Sequence, residues 1–300
     1  MTLFHGLSAF PITPTDEHGV VDTAALTKLL TRIAAAKADS IGLLGSTGGY
    51  AFLSRDQRRR AVEAAVSAVG GKIPVIVGVG ALRTDEAQAL ARDSMQAGAD
   101  ALLLAPVSYT PLTDDEVYEH FAAVADVGRL PLCIYNNPGT TKFTFSKELI
   151  ARLAKVANIQ AVKMPLPSGA DFRSELERLR SETQPGFAIG YSGDWGAADA
   201  LLAGADAWYS VVAGLLPSEA LALARAAQNR DTEKVRTINT AFEPLWSLFK
   251  VFGSFRVMFA IAEALDLGRF EPPRPVLGLQ ASARQRVKEA LNALGSVAGL

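Results

Sequence analysis

Apolar positions along this chain follow two rhythms in turn. Short apolar runs at 7–10, 40–44, 74–79, 101–104, 132–134, 159–162, 187–189 and 207–212 each stop at, or one residue before, a Gly, Pro, Ser or Asn or a chemically distinct polar residue, as buried strands do. Between them, segments 24–36, 57–69, 85–97, 114–127, 172–182 and 197–203 place apolar residues three and four apart, the period of a helix with one packed face. A further helix follows 132–134, capped by Thr144 or Ser146, with Leu149, Ile150, Leu153 and Val156 on one side. Strict strand–helix alternation predicts a parallel sheet. Eight such units over roughly 215 residues predict a closed (β/α)8 TIM barrel. An open doubly wound sheet would carry G-x-G-x-x-G after an early strand, and no such run stands there.

From Pro217 onward the pattern is helical only, at 219–229, 233–251, 255–264 and 281–293. The expected organisation is therefore a barrel with its active site over residues 1–216, and a C-terminal helical extension, 217–300, packed on that barrel.

Composition narrows the function classes. Thirty basic residues against 31 acidic ones give a net charge of −1, without the basic excess that a nucleic-acid groove or an anionic membrane surface calls for. No run approaches the roughly 20 apolar residues of a membrane helix. Segment 2–9 lacks the basic flank and long apolar core of a secretion signal, so a cytoplasmic protein is expected. Cys133 is the one cysteine, and His5, His18 and His120 are scattered, so no metal site is expected.

In a barrel of this kind the chemistry sits where strands empty into loops at their C-terminal ends. Those positions are Ser46 and Thr47, Ser108 and Tyr109, Tyr135, Lys163, Ser192 and Gly193, with Tyr209 and Ser210 inside the last run. The central unit matters most. Two neighbouring parallel strands point the same way, so Tyr135 and Lys163 emerge side by side. Lysine is the strong nucleophile of the set, and an amine must be neutral to attack a carbonyl; Ala161, Val162, Met164 and Pro165 supply apolar surroundings. Imine chemistry also needs proton relays, which tyrosine provides. Gly45-Ser46-Thr47-Gly48-Gly49 suits a small anion held by backbone amides and hydroxyls, or is a plain tight turn. It is no Walker A loop, since no Gly-Lys-Ser/Thr follows.

These pieces together, GSTGG at 45–49, YNNPGTT at 135–141 and AVKMP at 161–165, resemble the dihydrodipicolinate synthase / N-acetylneuraminate lyase superfamily of Schiff-base barrels. The resemblance runs from Pro11-Ile12-Thr13-Pro14 to Pro272-Pro273. It implies a lyase or aldolase that condenses or cleaves pyruvate or another 2-oxo acid through an imine on Lys163, with an aldehyde-type second substrate and no cofactor beyond that imine. It further implies that Tyr135 relays protons, that Ser46 and Thr47 hold the carboxylate, and that Gly193 and Tyr209 offer backbone contacts to the bound acid. Tyr109 resembles a relay tyrosine that reaches a neighbouring subunit's site, which implies a homodimer or homotetramer. Thr47 and Tyr109 thus join Lys163 and Tyr135 as catalytic candidates, and Thr140 joins the substrate-binding ones.

The sequence also departs from the pattern. The acid that ends the family's Gly-x-Thr-Gly-Glu is Gly49 here. The arginine expected after Tyr-Asn-x-Pro-x, which grips a second carboxylate, is Thr140. Ser108 replaces the first of a tyrosine pair, Leu82 stands where a polar amide of a lysine-feedback pocket is expected, and Met164 replaces an acid after the lysine. An arginine fork matches a carboxylate bidentately and threonine does not. Three readings follow: a 2-oxo acid lyase, aldolase or dehydratase with a hydroxylated or uncharged second substrate, such as an aldehyde, or acting on a 2-oxo-3-deoxy sugar acid; an authentic 4-hydroxy-tetrahydrodipicolinate synthase in which Arg55, Arg58 or Arg83 replaces the missing cation; and a non-catalytic 2-oxo acid binder.

Overall fold

The computed structural model describes residues 3–296. Residues 1–2, at the edge of the secretion-signal reading, and 297–300, at the end of the helical extension, lie outside the described residues. Eight parallel strands close on themselves in sequence order, as the alternation predicts. They are β1 (Gly6–Ala9), β2 (Ser40–Leu43), β3 (Val75–Gly78), β4 (Ala101–Leu104), β5 (Leu132–Tyr135), β6 (Ile159–Met164), β7 (Ala188–Tyr191) and β8 (Ala207–Ser210). The helices of the barrel are α1 (Thr23–Ala35), α2 (Arg55–Val69), α3 (Thr84–Gln96), α4 (Asp114–Gly128), α5 (Pro138–Thr141), α6 (Lys147–Ala154), α7 (Phe172–Glu182) and α8 (Ala197–Ala203). Four more follow: α9 (Pro217–Gln228), α10 (Thr232–Phe252), α11 (Ser254–Ala264) and α12 (Ala281–Gly295).

Helix starts obey their caps. Asp22 and Ser54 accept from backbone amides of the first turns of α1 and α2. Thr113 and Glu116 form a reciprocal capping box on α4. Of the two candidates ahead of α6, Ser146 is the cap, accepting from Leu149 N at 3.1 Å. Asn137-Pro138-Gly139, a turn by sequence, opens the short helix α5, because Pro138 at its start has no N–H to leave unpaired.

The strands alternate in the way a filled barrel requires. Leu132, Ile134, Val162, Met164 and Trp208 pack outward with the helices, while Leu103, Cys133, Tyr135, Ala161, Ala207 and Tyr209 fill the interior. Lys163 shares the parity of Ala161 and so points inward. Sequence reasoning ends this strand at Val162. It runs on to Met164, because Lys163 pairs with Tyr135 on one side and Gly190 on the other. Glycine makes room for the large interior rings: a Cβ on Gly190 would lie 2.6 Å from the Tyr209 ring, and one on Gly45 2.6 Å from Phe10.

One device recurs at the N-terminal end of the barrel. Lys37-Ala38-Asp39, Gly98-Ala99-Asp100 and Gly204-Ala205-Asp206 each begin with a residue at positive φ, 63°, 91° and 102°. Each aspartate then clamps the preceding strand. Its carboxylate accepts from Leu7 N at 2.7 Å, Val75 N at 2.8 Å and Ile189 N at 2.8 Å respectively. Its own N–H donates to the carbonyl of that same residue, at 2.9, 3.0 and 2.8 Å.

Among the described residues no helix is long and apolar enough to cross a membrane.

Candidate active site

Lys163 ends up deep in the barrel mouth, 3% exposed, because strand parity aims it at the axis. Its surroundings are aromatic. The Nζ sits 4.0 Å from the Phe10 ring centroid, 4.1 Å from Tyr135 and 5.8 Å from Tyr209. Ring faces favour a positive charge at this position, whether an ammonium or a protonated imine carries it. Below them Tyr209 OH and Cys133 Sγ are 3.5 Å apart. Burial pushes the Cys133 thiol up to about 12 and the Tyr209 phenol well above its ordinary value, so neither ionises near neutral pH.

The β5–β6 register brings Tyr135 opposite Lys163, as the sequence predicts. Its hydroxyl is the hub of a small network. Asn137 Nδ2 donates to it at 2.9 Å, and Ser46 Oγ lies 3.0 Å away. Since Asn137 occupies an acceptor position, the phenolic proton is left to point at Ser46 or into the cavity. A phenol with one fixed donor and one mobile proton is suited to shuttle protons beside an amine.

The loop after β2 is the candidate anion cradle. Gly49 N–H donates to Ser46 O at 3.1 Å, closing the turn. Among the described residues, the backbone N–H groups of Ser46 and Thr47 make no hydrogen bond within the protein. Two unpartnered amides and two hydroxyls beside a buried amine are a fitting seat for a carboxylate.

Ser46, Thr47, Tyr135, Thr140, Lys163 and Gly193 all line one cavity of about 740 Å³. Two predicted site residues are not in it. Tyr209 lies beneath Lys163 as part of the barrel filling, so its side chain floors the site. Tyr109 is 96% exposed, and its neighbour Ser108 donates to Thr110 O.

The arginines raised as substitute cations are elsewhere. Arg55 is bidentate to Asp93 at 2.6 and 2.8 Å, and Arg83 pairs with Asp85. Arg58 is buried with its guanidinium on Gly80 O and Gly78 O at 2.9 and 2.7 Å, and burial lowers it to about 10, still cationic at neutral pH. None of the three lines the cavity.

Asp194 is the carboxylate of the site, and it is committed to structure. It accepts from Trp208 Nε1 at 3.0 Å, Val211 N at 3.1 Å and Val212 N at 2.7 Å, tying the loop after β7 to the loop after β8. Burial raises its pKa to about 6, while the Val212 N–H and the Trp208 indole pull it down.

Sequence reasoning missed several contributors. Phe10 underlies the amine, and Asn137 orients Tyr135. The helical extension also reaches the mouth, since Phe249, Gly253, Ser254 and Phe255, at the α10–α11 junction, line the cavity. Gly253, at φ 80°, breaks what would otherwise be one helix, and that glycine is the one signal the sequence offers. Among the described residues, no three His, Cys, Asp or Glu side chains cluster to hold a metal ion.

With the geometry in view, comparison with known proteins is informative. The sequence model of the dihydrodipicolinate synthetase family matches residues 3–294. A 4-hydroxy-tetrahydrodipicolinate synthase from Thioalkalivibrio sulfidiphilus is 33% identical, with 98% of each chain covered. A crystal structure of dihydrodipicolinate synthase from Agrobacterium tumefaciens superposes with a TM-score of 0.96 at 61% identity, covering 97% of this chain and 98% of that one. An enzyme of the same name from Acinetobacter baumannii, solved in complex with pyruvate, gives 0.89 at 27% identity, covering 98% of this chain and all of the other.

Proposed function

The chain belongs to the dihydrodipicolinate synthetase family, and on that premise we propose that it is a Schiff-base lyase whose imine forms on Lys163, with pyruvate or a close 2-oxo acid as first substrate. The observation that carries the assignment is the pairing of a buried amine with a networked phenol across the β5–β6 register. The pyruvate-bound relative supports the choice of acid.

In this reading the acid's carboxylate rests on the amides and hydroxyls of Ser46 and Thr47, with Gly193 also lining the cavity. The Lys163 amine attacks the C2 carbonyl carbon, the carbinolamine loses water, and a protonated imine results. That cation is the electron sink, so the proposal calls for no metal or organic cofactor. Tyr135 delivers the proton that makes the carbinolamine oxygen leave as water, then takes the C3 proton as the enamine forms. Asn137 holds the phenol on station throughout. In the cleavage direction the same groups work in reverse as the C3–C4 bond breaks.

Tyr109, outside its own cavity, completes the relay of a neighbouring copy in this proposal, which makes the working form a homodimer or homotetramer. A cytoplasmic setting belongs to the same proposal.

The deciding experiment is reductive trapping. Incubation with pyruvate and borohydride is expected to add the mass of a reduced pyruvate adduct to the peptide carrying Lys163. An adduct on another lysine, or none with any 2-oxo acid, overturns the assignment.

A further inference from the structure

We infer that the second substrate is an uncharged aldehyde carrying an aromatic or long apolar group, bound against the paired rings of Phe52 and Phe255 at the cavity mouth. This rests on Lys163 forming the imine, and it goes beyond that reading by naming the partner.

Charge supplies the first argument. Among the described residues, Lys163 is the one cationic side chain that lines the cavity, and as an imine its charge serves the first substrate. An aldehyde bearing its own carboxylate would bury that charge with no counter-ion, which is strongly unfavourable in a protein interior. The nearby cations do not answer it. Arg58 lies 5.3 Å behind the Tyr50 ring with its donors on backbone carbonyls. Lys250 sits 5.8 Å from the Trp195 ring and does not line the cavity. Thr140 offers a hydroxyl, already donated to Asn137 O at 3.3 Å.

Shape supplies the second. Phe52 and Phe255 lie parallel, their planes 5° apart and centroids 6.3 Å apart, and Phe259 holds Phe255 edge-on at 5.3 Å. Phe52 is 43% and Trp195 38% exposed at the mouth. Large apolar side chains left in contact with water around a cavity mark a binding surface. Gly49, at φ 64°, faces both rings: a Cβ there would make van der Waals contact with Phe255 at 3.7 Å and Phe52 at 3.9 Å. A cavity of about 740 Å³ is of the size that takes drug-sized ligands, roughly 300–1,000 Å³, with ample room beyond a three-carbon acid.

The reaction balances without a further reagent. The enamine carbon C3 of the Lys163 adduct attacks the aldehyde carbon, the aldehyde oxygen takes the proton held by Tyr135, and water hydrolyses the new imine. Lys163 is restored and a 4-hydroxy-2-oxo acid with an apolar tail is released.

The test supplies pyruvate with benzaldehyde, hexanal, succinic semialdehyde or aspartate semialdehyde, and follows product by mass spectrometry. Benzaldehyde or hexanal is expected to show kcat/KM at least about a hundredfold above either semialdehyde, the scale on which unpaired buried groups discriminate. Phe255→Ala is expected to raise KM for benzaldehyde about tenfold or more and to change acetaldehyde far less; Phe52→Leu repeats the measurement with a milder change. A semialdehyde turned over as well as the apolar aldehydes overturns the proposal, as does an unchanged KM in both variants. If borohydride traps pyruvate on Lys163 while apolar aldehydes show no advantage, this inference alone fails. If nothing is trapped on Lys163, the imine assignment fails and takes this inference with it.

Discussion

At the N-terminal end of the barrel, three turns of near-identical sequence close three strand pairs with the same two hydrogen bonds; at the C-terminal end, the loops that line the cavity share no such scheme. At the first end the clamping groups are paired. Asp39, Asp100 and Asp206 each give and take a backbone bond with one residue of the neighbouring strand, and Arg225 and Arg180 sit on two of them. The second end leaves groups wanting. Among the described residues the amides of Ser46 and Thr47 have no protein partner, and the Lys163 amine is buried against rings. Buried polar groups without partners cost stability. The cost is borne at the end where a ligand would supply what is missing, so stability and reactivity are placed at opposite ends of the same strands. Substitutions at the mouth should therefore remove activity at little cost to the fold, and those at the base the reverse.

Lys163→Met carries the largest expected effect. It keeps the buried stem and removes the amine. Turnover should fall by at least about 10⁴-fold, the scale of a lost nucleophile, while the melting temperature holds or rises. Borohydride trapping at this peptide should vanish. A large loss of Tm would show that the mouth is structural after all. Tyr135→Phe comes next. It keeps the ring beside the amine and removes the proton that the proposed relay uses, so kcat should drop by about 10²–10⁴-fold, again with the fold intact. Single-turnover trapping should slow by a similar factor.

What could be read from sequence follows the same division. The order of the strands, the loops at their ends and the Tyr135–Lys163 adjacency depend on local periodicity and on one topological rule, and they were legible. The end of β6 was not, because pairing by Tyr135 and Gly190 from both sides extends it through Lys163 to Met164. Phe10 escaped because its inward aim is permitted by absent side chains at Gly42 and Gly45, on a different strand and loop. Arg55, Arg58 and Arg83 look like free charges in the sequence. Their partners, Asp93, two backbone carbonyls and Asp85, settle them away from the cavity, and the first two cases rest on contacts between distant segments. The α10–α11 junction read as part of a covering layer, since nothing in a helical period says which helix end overhangs a barrel mouth.

Asp194 lies on the boundary between the two behaviours, at the mouth but fully bonded. Burial raises it from the ordinary 3.8 to about 6. Between those values the folded protein holds a proton that the unfolded chain has released. This group's contribution to stability is therefore fullest below the ordinary value and declines as pH rises through about 6. Asp194→Asn should flatten that part of the Tm–pH curve. At pH 7 it should lower stability by about 1–3 kcal/mol, since an amide nitrogen faces N–H donors that a carboxylate oxygen accepted. A Tm–pH curve of unchanged shape would assign the slope to other groups.

The smallest effect belongs to the base. Among the described residues Asp100 bears no arginine, unlike Asp206 and Asp39, so its clamp on Val75 is the device at its simplest. Asp100→Asn keeps an acceptor oxygen and the backbone bond and loses only the charge on the carboxylate. About 1 kcal/mol should go, which in a chain of this size lowers Tm by no more than about 2–4 °C. kcat and KM should stay as they were, because the clamp lies at the opposite end of the strands from Lys163. Asp100→Ala strands the Val75 N–H and should cost about 1–3 kcal/mol, still without touching turnover. A base substitution that altered KM would mean that strain passes along β3 and β4 to the cavity, and the division of labour between the two ends would no longer hold.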